Sequence, residues 1–396
     1  MPAMLTLEEA QERLLALVRK PEIDVVETAQ GRPTQYLARD LVARLTQPPA
    51  DLSAMDGYAI CGNGPWRRVG ESRAGEPFSC ALEPGQCTRI STGAHMPQGA
   101  DRVLIQENAS VDGDRVALAD GEELPPPERH VRKQGFDFAA GETVLTQGSA
   151  MGPGPVALAL SAGFGSVPVW RTPRVAILDS GDELALDPEQ CGPDQIPASN
   201  GPMIAAMLRS HVGEVSRLGP VLDNHEALAQ ALAKADSCDI LITSGGASVG
   251  DHDLVQEALA RWGAGIDFWK VAIKPGKPLM VATRGNQVIL GLPGNPVSSF
   301  VTAFLFALPL VRAAMGDPDP LPKSVRVSAA EDLPATGSRH EFLRGIQDGT
   351  SARLAASQDS SALRALAAAN CLIDRPAGSP AIATGSPVQV YNLHNG

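Results

Sequence analysis

Between residues 175 and 311 short apolar runs alternate with amphipathic stretches, and few architectures accommodate that pattern. Runs at 175–178, 215–218, 240–243, 268–273 and 288–290 read as strands, and the segments near 202–211, 225–236, 254–262 and 296–312 as helices. The alternation predicts a parallel α/β sheet with right-handed crossovers. Ligands of open α/β sheets bind outside the carboxyl ends of the strands. That rule gathers 180–183, 243–246 and 292–295 on one rim.

The strand at 240–243 runs into Ser244-Gly245-Gly246-Ala247-Ser248, small residues that let backbone N–H groups and hydroxyls approach a ligand. Asp253 then opens a helical segment, so the turn suits phosphate as well as a plain strand-to-helix connection. It is neither a Walker A sequence nor a GxGxxG fingerprint. About twenty residues on, Phe268-Trp-Lys-Val-Ala-Ile-Lys-Pro-Gly-Lys-Pro278 carries Lys270 and Lys274 at strand alternation, which puts both ammonium groups on one face, with Lys277 beyond a Pro-Gly turn. Lone lysines are usually solvated. Three framing a turn beside an anion loop point to phosphate. Asn295 before Pro296 reads as an N-cap followed by proline at the first helical position.

The remaining chain is more varied. Residues 6–20 form a helix opened by a Thr6/Glu9 capping box, and 34–45 carry Leu37, Leu41, Val42 and Leu45 at helical spacing. Short runs broken by Gly, Pro, Asn and Asp make 51–137 all-β. Within it Asp56 and Thr92 read locally as turn residues bonding their own backbone. Residues 138–171 return toward helix around 156–162. After the proline-rich 317–322, five short strands predict a small β-barrel or sandwich, in which Arg344 and Ser360 read locally as surface residues.

A chain of 396 residues exceeds one core, so several domains are expected. The net charge of -12 and pI near 5.1, without a basic stripe, argue against nucleic acid. Six cysteines show neither CxxC nor metal-like spacing, which fits a reducing compartment. No secretory signal is evident, so the cytoplasm is expected. The uncharged stretches 151–170 and 285–311 are interrupted by prolines and glycines and do not read as membrane spans.

Taken in order, SAMDGYA (53–59), RISTGAHMPQGAD (89–101), SGDEL (180–184), SGGASVGDHD (244–253), FWKVAIKPGKP (268–278) and GLPGNPVSS (291–299) resemble the molybdopterin molybdenumtransferases, the bacterial MoeA proteins and the gephyrin E domain. The resemblance covers nearly the whole chain. It implies a multidomain α/β plus β protein: a helical dimerisation segment (1–45 and 138–171), an inserted β domain (46–137), a central parallel α/β molybdopterin-binding domain (172–316) and a C-terminal β-barrel (317–396).

The implied reaction inserts molybdenum from molybdate into adenylylated molybdopterin, with Mg²⁺, and releases AMP. Carried over by position, the catalytic residues are Asp56, Thr92, Glu183, Asp223 and Asp253, of which Asp56, Glu183 and Asp253 would hold Mg²⁺. Ser180, Ser244, Gly245, Gly246, Ser248, Lys270, Lys274, Lys277, Pro293 and Asn295 would bind substrate, and Arg344 and Ser360 molybdate. Asp223 and Asp253 also fit N-caps with capping boxes. Asp179-Ser180 stands where the family usually has Ser-Thr, adding a carboxylate near a phosphate site. The implied partners are a second copy in a homodimer, a molybdopterin adenylyltransferase and molybdoenzyme-maturation proteins, without nucleic acid or membrane. Competing readings are a non-catalytic scaffold of the gephyrin type, the adenylyltransferase itself and a tungstate-preferring homologue.

Overall fold

The computed structural model describes residues 4–19, 22–245 and 254–393. The chain divides into two compact units, one of Met1–Asp24, Thr34–Ala38 and Val169–Gly396, the other of Val25–Pro33 and Arg39–Pro168.

Helix α1 (Leu7–Leu15) belongs to the first unit. Its capping box is present: the Glu9 N–H donates to the Thr6 hydroxyl at 3.1 Å and the Thr6 N–H to the Glu9 carboxylate at 2.8 Å. Leu7, Ala10 and Leu14 are buried in the α/β core, each leucine contributing about 1.5–3 kcal/mol.

The second unit is built on a six-stranded sheet of β1 (Gly57–Ile60), β2 (Trp66–Ser72), β3 (Gln86–Ile90), β4 (Arg102–Ile105), β5 (Ala109–Asp112) and β6 (Arg115–Leu118), in the order β4-β1-β3-β2-β6-β5. Gly57 fits where it does because a Cβ there would lie 2.1 Å from the Leu104 carbonyl oxygen. The expected helix at 34–45 is not formed. Leu41 and Ala43 are buried while Val42 and Arg44 are exposed, and Leu41–Val42 pairs with Thr143–Leu145. The leucines that satisfy a 3.6-residue period leave residues 41–44 equally open to a two-residue one, and the partner strand decides. Of 138–171, only α2 (Pro153–Ser161) is helical.

In the first unit β7 (Val175–Asp179), β8 (Val215–Arg217), β9 (Ile240–Ser244), β10 (Gly265–Lys270), β11 (Ile273–Lys274), β12 (Pro278–Arg284) and β13 (Gln287–Leu292) follow α1, with α3 (Asn200–Val212), α4 (His225–Lys234), α5 (Leu254–Arg261) and α6 (Pro296–Ala314) between or after them. The sheet order is β8-β7-β9-β13-β12-β10. Four neighbouring strands are parallel as expected. The sheet is nonetheless mixed, because β12, unmarked in the sequence reading, runs antiparallel to both neighbours. Central strands are covered on both faces: Val175, Ile177, Ile240 and Ile242 face α3 and α6 residues, while Ala176, Leu178 and Leu241 face α4 and α5.

Helix α6 continues through Pro309, with a π-helical stretch at Ala303–Ala307. Proline cannot donate to the carbonyl four residues earlier, that of Leu305. The buried Gln11 side chain of α1 donates to that carbonyl at 2.8 Å. Gln11→Met should therefore leave an unpaired buried carbonyl and cost about 1–3 kcal/mol in denaturant unfolding. A loss below ~0.5 kcal/mol would mean that the bond contributes nothing. Among the described residues α6 is the one helix long and apolar enough to cross a membrane, and with 78% of its apolar window buried it is a core helix.

The C-terminal segment forms β14 (Ser324–Ala329), β15 (His340–Gln347), β16 (Ser351–Leu354), α7 (Leu363–Ala368), β17 (Cys371–Arg375) and β18 (Pro387–Asn392). The pairing β15-β16-β14-β18-β17-β15 closes a five-stranded barrel around Val327, Ile373 and Val390. Strand β11 is added to it, parallel to the start of β15.

Candidate active site

The carboxyl ends of β7, β9 and β13 lie level, with Asp179 opposite Ser244 and Ser244 opposite Leu292. Ser180, Gly245 and Pro293 follow directly, with Gly294 next. Gly245 has φ +104° and its N–H donates to the Leu292 carbonyl, while a Cβ on Gly294 would come within 3.9 Å of the Gly245 Cα. A glycine is needed at 245 for that φ. Asn200, at the start of α3, donates to the Gly294 carbonyl at 2.7 Å. Gly246, Ser248 and Asp253 lie outside the described residues.

Ser244 is 5% exposed, and its hydroxyl lies beside the Asp179 carboxylate. Asp179 is itself buried and accepts from the Gly201 N–H, where the absence of a side chain admits the carboxylate. Burial pushes its pKa up, against the nearby charge of Arg217 and these hydrogen bonds. The stability tied to this carboxyl is present below the ordinary aspartate pKa and is lost as pH rises through the raised value.

The N-terminus of α6 is where the remaining candidates meet. Asn295 is the N-cap and Pro296 the first helical residue, but the Asn295 side chain makes no capping bond, and its buried Oδ1 has no partner. The Pro275-Gly276 turn after Lys274 packs here, since a Cβ on Gly276 would touch Thr302 and lie 3.7 Å from the Ser298 carbonyl oxygen. From the barrel, the Ser360 carbonyl accepts the Val297 N–H at 3.2 Å. Arg344 is 2% exposed, not a surface residue. One of its terminal nitrogens donates to the Ser357 and Asp359 carbonyls, while Nε is buried without a partner. Burial depresses its pKa, with Asp359 acting the other way. A desolvated guanidinium with an unused donor favours an anion. Ser299, with a buried unpaired hydroxyl one turn into α6, belongs to the same neighbourhood.

Lys270 and Lys274 do not share a strand face. Lys270 ends β10, Val271 bridges Leu5, and Lys274 lies on β11 in the barrel sheet, with Nζ 3.2 Å from the Glu341 carboxylate. The continuous strand is broken because the Leu5 N–H donates to the Lys270 carbonyl, the Ala272 N–H to the Leu5 carbonyl and the His340 N–H to the Ala272 carbonyl, while the Val271 N–H turns to the Lys277 carbonyl. Lys277 is exposed beyond the turn.

Among the acids, Glu183 closes over Gly181, and the neighbouring Asp182 accepts the Asp223 N–H at 3.0 Å. The N-cap of α4 is Asn224, whose side chain accepts from the Ala227 N–H at 2.8 Å, so Asp223 is not the cap. In the other unit Asp56 accepts the Thr92 N–H at 2.6 Å across 36 residues. Both residues thus tie two loops together rather than their own turns. The Thr92 backbone and hydroxyl, and more weakly the Arg89 charge, hold the Asp56 carboxyl below the usual range, so it is ionised at neutral pH.

Sequence reasoning singled out neither Asn200, Ser299, Glu341 nor Arg375. Asn200 and Ser299 stand beside helix starts, and Ser299 lay within a quoted motif. Glu341 and Arg375 carry no local signal, since strand register alone sets Glu341 opposite Lys274 and Arg375 opposite Glu341.

Models of known families match most of the chain. Residues 5–163 match the MoeA N-terminal region (domain I and II), 176–313 a probable molybdopterin binding domain, and 326–393 the MoeA C-terminal region (domain IV). A molybdopterin molybdenumtransferase of Haemophilus influenzae is 33% identical over 87% of this chain and 86% of its own length. Another, from Nostoc, is 35% identical over 92% of this chain and 87% of its own. The crystal structure of the molybdopterin biosynthesis MoeA protein of Pyrococcus horikoshii superposes with a TM-score of 0.84 at 25% identity, covering 99% of this chain and all of that one. A chain so related along most of its length belongs to the molybdopterin molybdenumtransferase family.

Proposed function

We propose that this protein inserts molybdenum from molybdate into the dithiolene of adenylylated molybdopterin and releases AMP. The observation that carries the reading is the convergence on the α6 N-terminus of a glycine rim, a lysine turn and a buried, underpaired Arg344. Orphan amides and the helix dipole favour the phosphoanhydride there. Ser180, Gly245, Pro293 and Asn295 form the cradle. Lys270, Lys274 and Lys277 supply positive charge. Arg344 and Ser360 hold the molybdate oxyanion.

Among the described residues no three ligating side chains form a ready metal group. Mg²⁺ carried in on phosphates would be held by one or two carboxylates, drawn from Asp56, Glu183 and Asp253. When bound, the ion neutralises charge on the scissile phosphoanhydride. Asp56, kept ionised by Thr92, is suited to bind a cation or accept a proton, and Asp223 to orient water. The site is completed across a homodimer, the Asp56/Thr92 unit of one copy serving the α/β unit of the other. A molybdopterin adenylyltransferase supplies the substrate and molybdoenzyme-maturation proteins take the product, in the cytoplasm.

Incubation of purified protein with adenylylated molybdopterin, Mg²⁺ and molybdate should release AMP together with active cofactor. AMP release that ignores molybdate would count against the reading.

A further inference from the structure

The carboxylate paired with Lys274 stands in strand register with a second cation. On β15, Glu341 stands opposite Lys274 of β11 on one side and opposite Arg375 of β17 on the other. The lysine side chain is about half exposed, that of Glu341 is 16% exposed, and Arg375 is 1% exposed. One terminal nitrogen of Arg375 donates to the Pro380 carbonyl at 2.6 Å, while Nε and Nη1 are buried and unpaired. Leaving such donors empty is costly. They are enclosed, so an acceptor must come from inside the protein rather than from solution. The other nearby groups are engaged: Asp374 with His340, and Arg339 with the Ile273 carbonyl. Burial lowers the Arg375 pKa, and Glu341 is the charge that opposes the shift.

We propose that Glu341 is a placeholder anion: its carboxylate occupies Lys274 in the empty site and passes to Arg375 when a phosphate of the substrate takes the lysine. The proposal rests on Lys274 binding phosphate, as in the function proposed above. Glu341 is a positioning residue, since it acts through Lys274 and does not touch the ligand. The exchange keeps the lysine aimed before binding and gives the displaced carboxylate a waiting partner, so the ligand leaves no buried charge unpaired.

The test is calorimetric titration of the intact protein with inorganic pyrophosphate. Glu341→Gln should tighten binding roughly threefold to fivefold, the scale of one half-exposed ion pair. On a Lys274→Ala background the same substitution should change nothing. Equal tightening on both backgrounds would mean simple repulsion, and unchanged or weaker binding in Glu341→Gln would mean a structural role; either overturns the proposal. If Lys274→Ala alone leaves pyrophosphate binding unaltered, the phosphate assignment of Lys274 falls, and the placeholder with it. Should Glu341→Gln fail to fold, Arg375→Met asks the same question from the other side. Without its second partner the carboxylate should stay on Lys274, weakening pyrophosphate binding by roughly the same factor, and unchanged binding would refute the exchange.

Discussion

Lys274→Ala is expected to weaken binding of adenylylated molybdopterin by about 10- to 100-fold while the melting temperature stays nearly constant. The loss follows from removing one charge-assisted contact to a phosphate, about 1.5–3 kcal/mol, at 1.4 kcal/mol per factor of ten. The melting temperature is spared because the ion pair with Glu341 is half exposed at the lysine, and such pairs contribute about 0–1 kcal/mol. Calorimetry settles it: an affinity equal to wild type removes Lys274 from the site.

The second large effect is a recovery. Asp56→Ala and Lys274→Ala homodimers should each be nearly inactive, because each lacks one half of both sites. An isologous interface repeats every contact, so a mixed dimer carries one site with both defects and one with none. Refolding equal amounts together should make about half the dimers mixed, restoring about a quarter of wild-type molybdate-dependent AMP release. Mixed dimers confirmed by native mass spectrometry yet still inactive would place the whole site within one chain.

The α/β alternation and the level rim were legible because each rests on a period or a turn residue that the sequence carries locally, whereas five short strands left barrel and sandwich both open and only the resemblance implied a barrel. Errors came where a partner decides. The apolar residues at 37, 41, 42 and 45 fit a helix in isolation, and the 143–145 strand makes 41–42 extended. Asp223 and Asn224 are both good caps, and the structure uses the second. Lys270 and Lys274 alternate as in one strand, but backbone bonds to Leu5 and His340 break it. Arg344 looked like a surface residue because barrel closure, which buries it, joins β15 to β17 across 30 residues of sequence. For Asp56 and Thr92 the motif located the residues, whereas their direct bond across two loops required coordinates.

The bond from Gln11 to the Leu305 carbonyl spans 294 residues, and this separation sets a schedule for synthesis. At about 5–20 residues per second a ribosome needs roughly 15–60 s to travel from one partner to the other. For that interval α1 has been made but has no α6 to cover Leu7, Ala10 and Leu14, and short helices are marginal in water. The N-terminal residues must wait as an apolar, unpaired segment while the second unit emerges behind them. The nascent chain therefore exposes α1 to chaperones and proteases during this interval, and the α/β core is sealed only after residue 305 has left the ribosome.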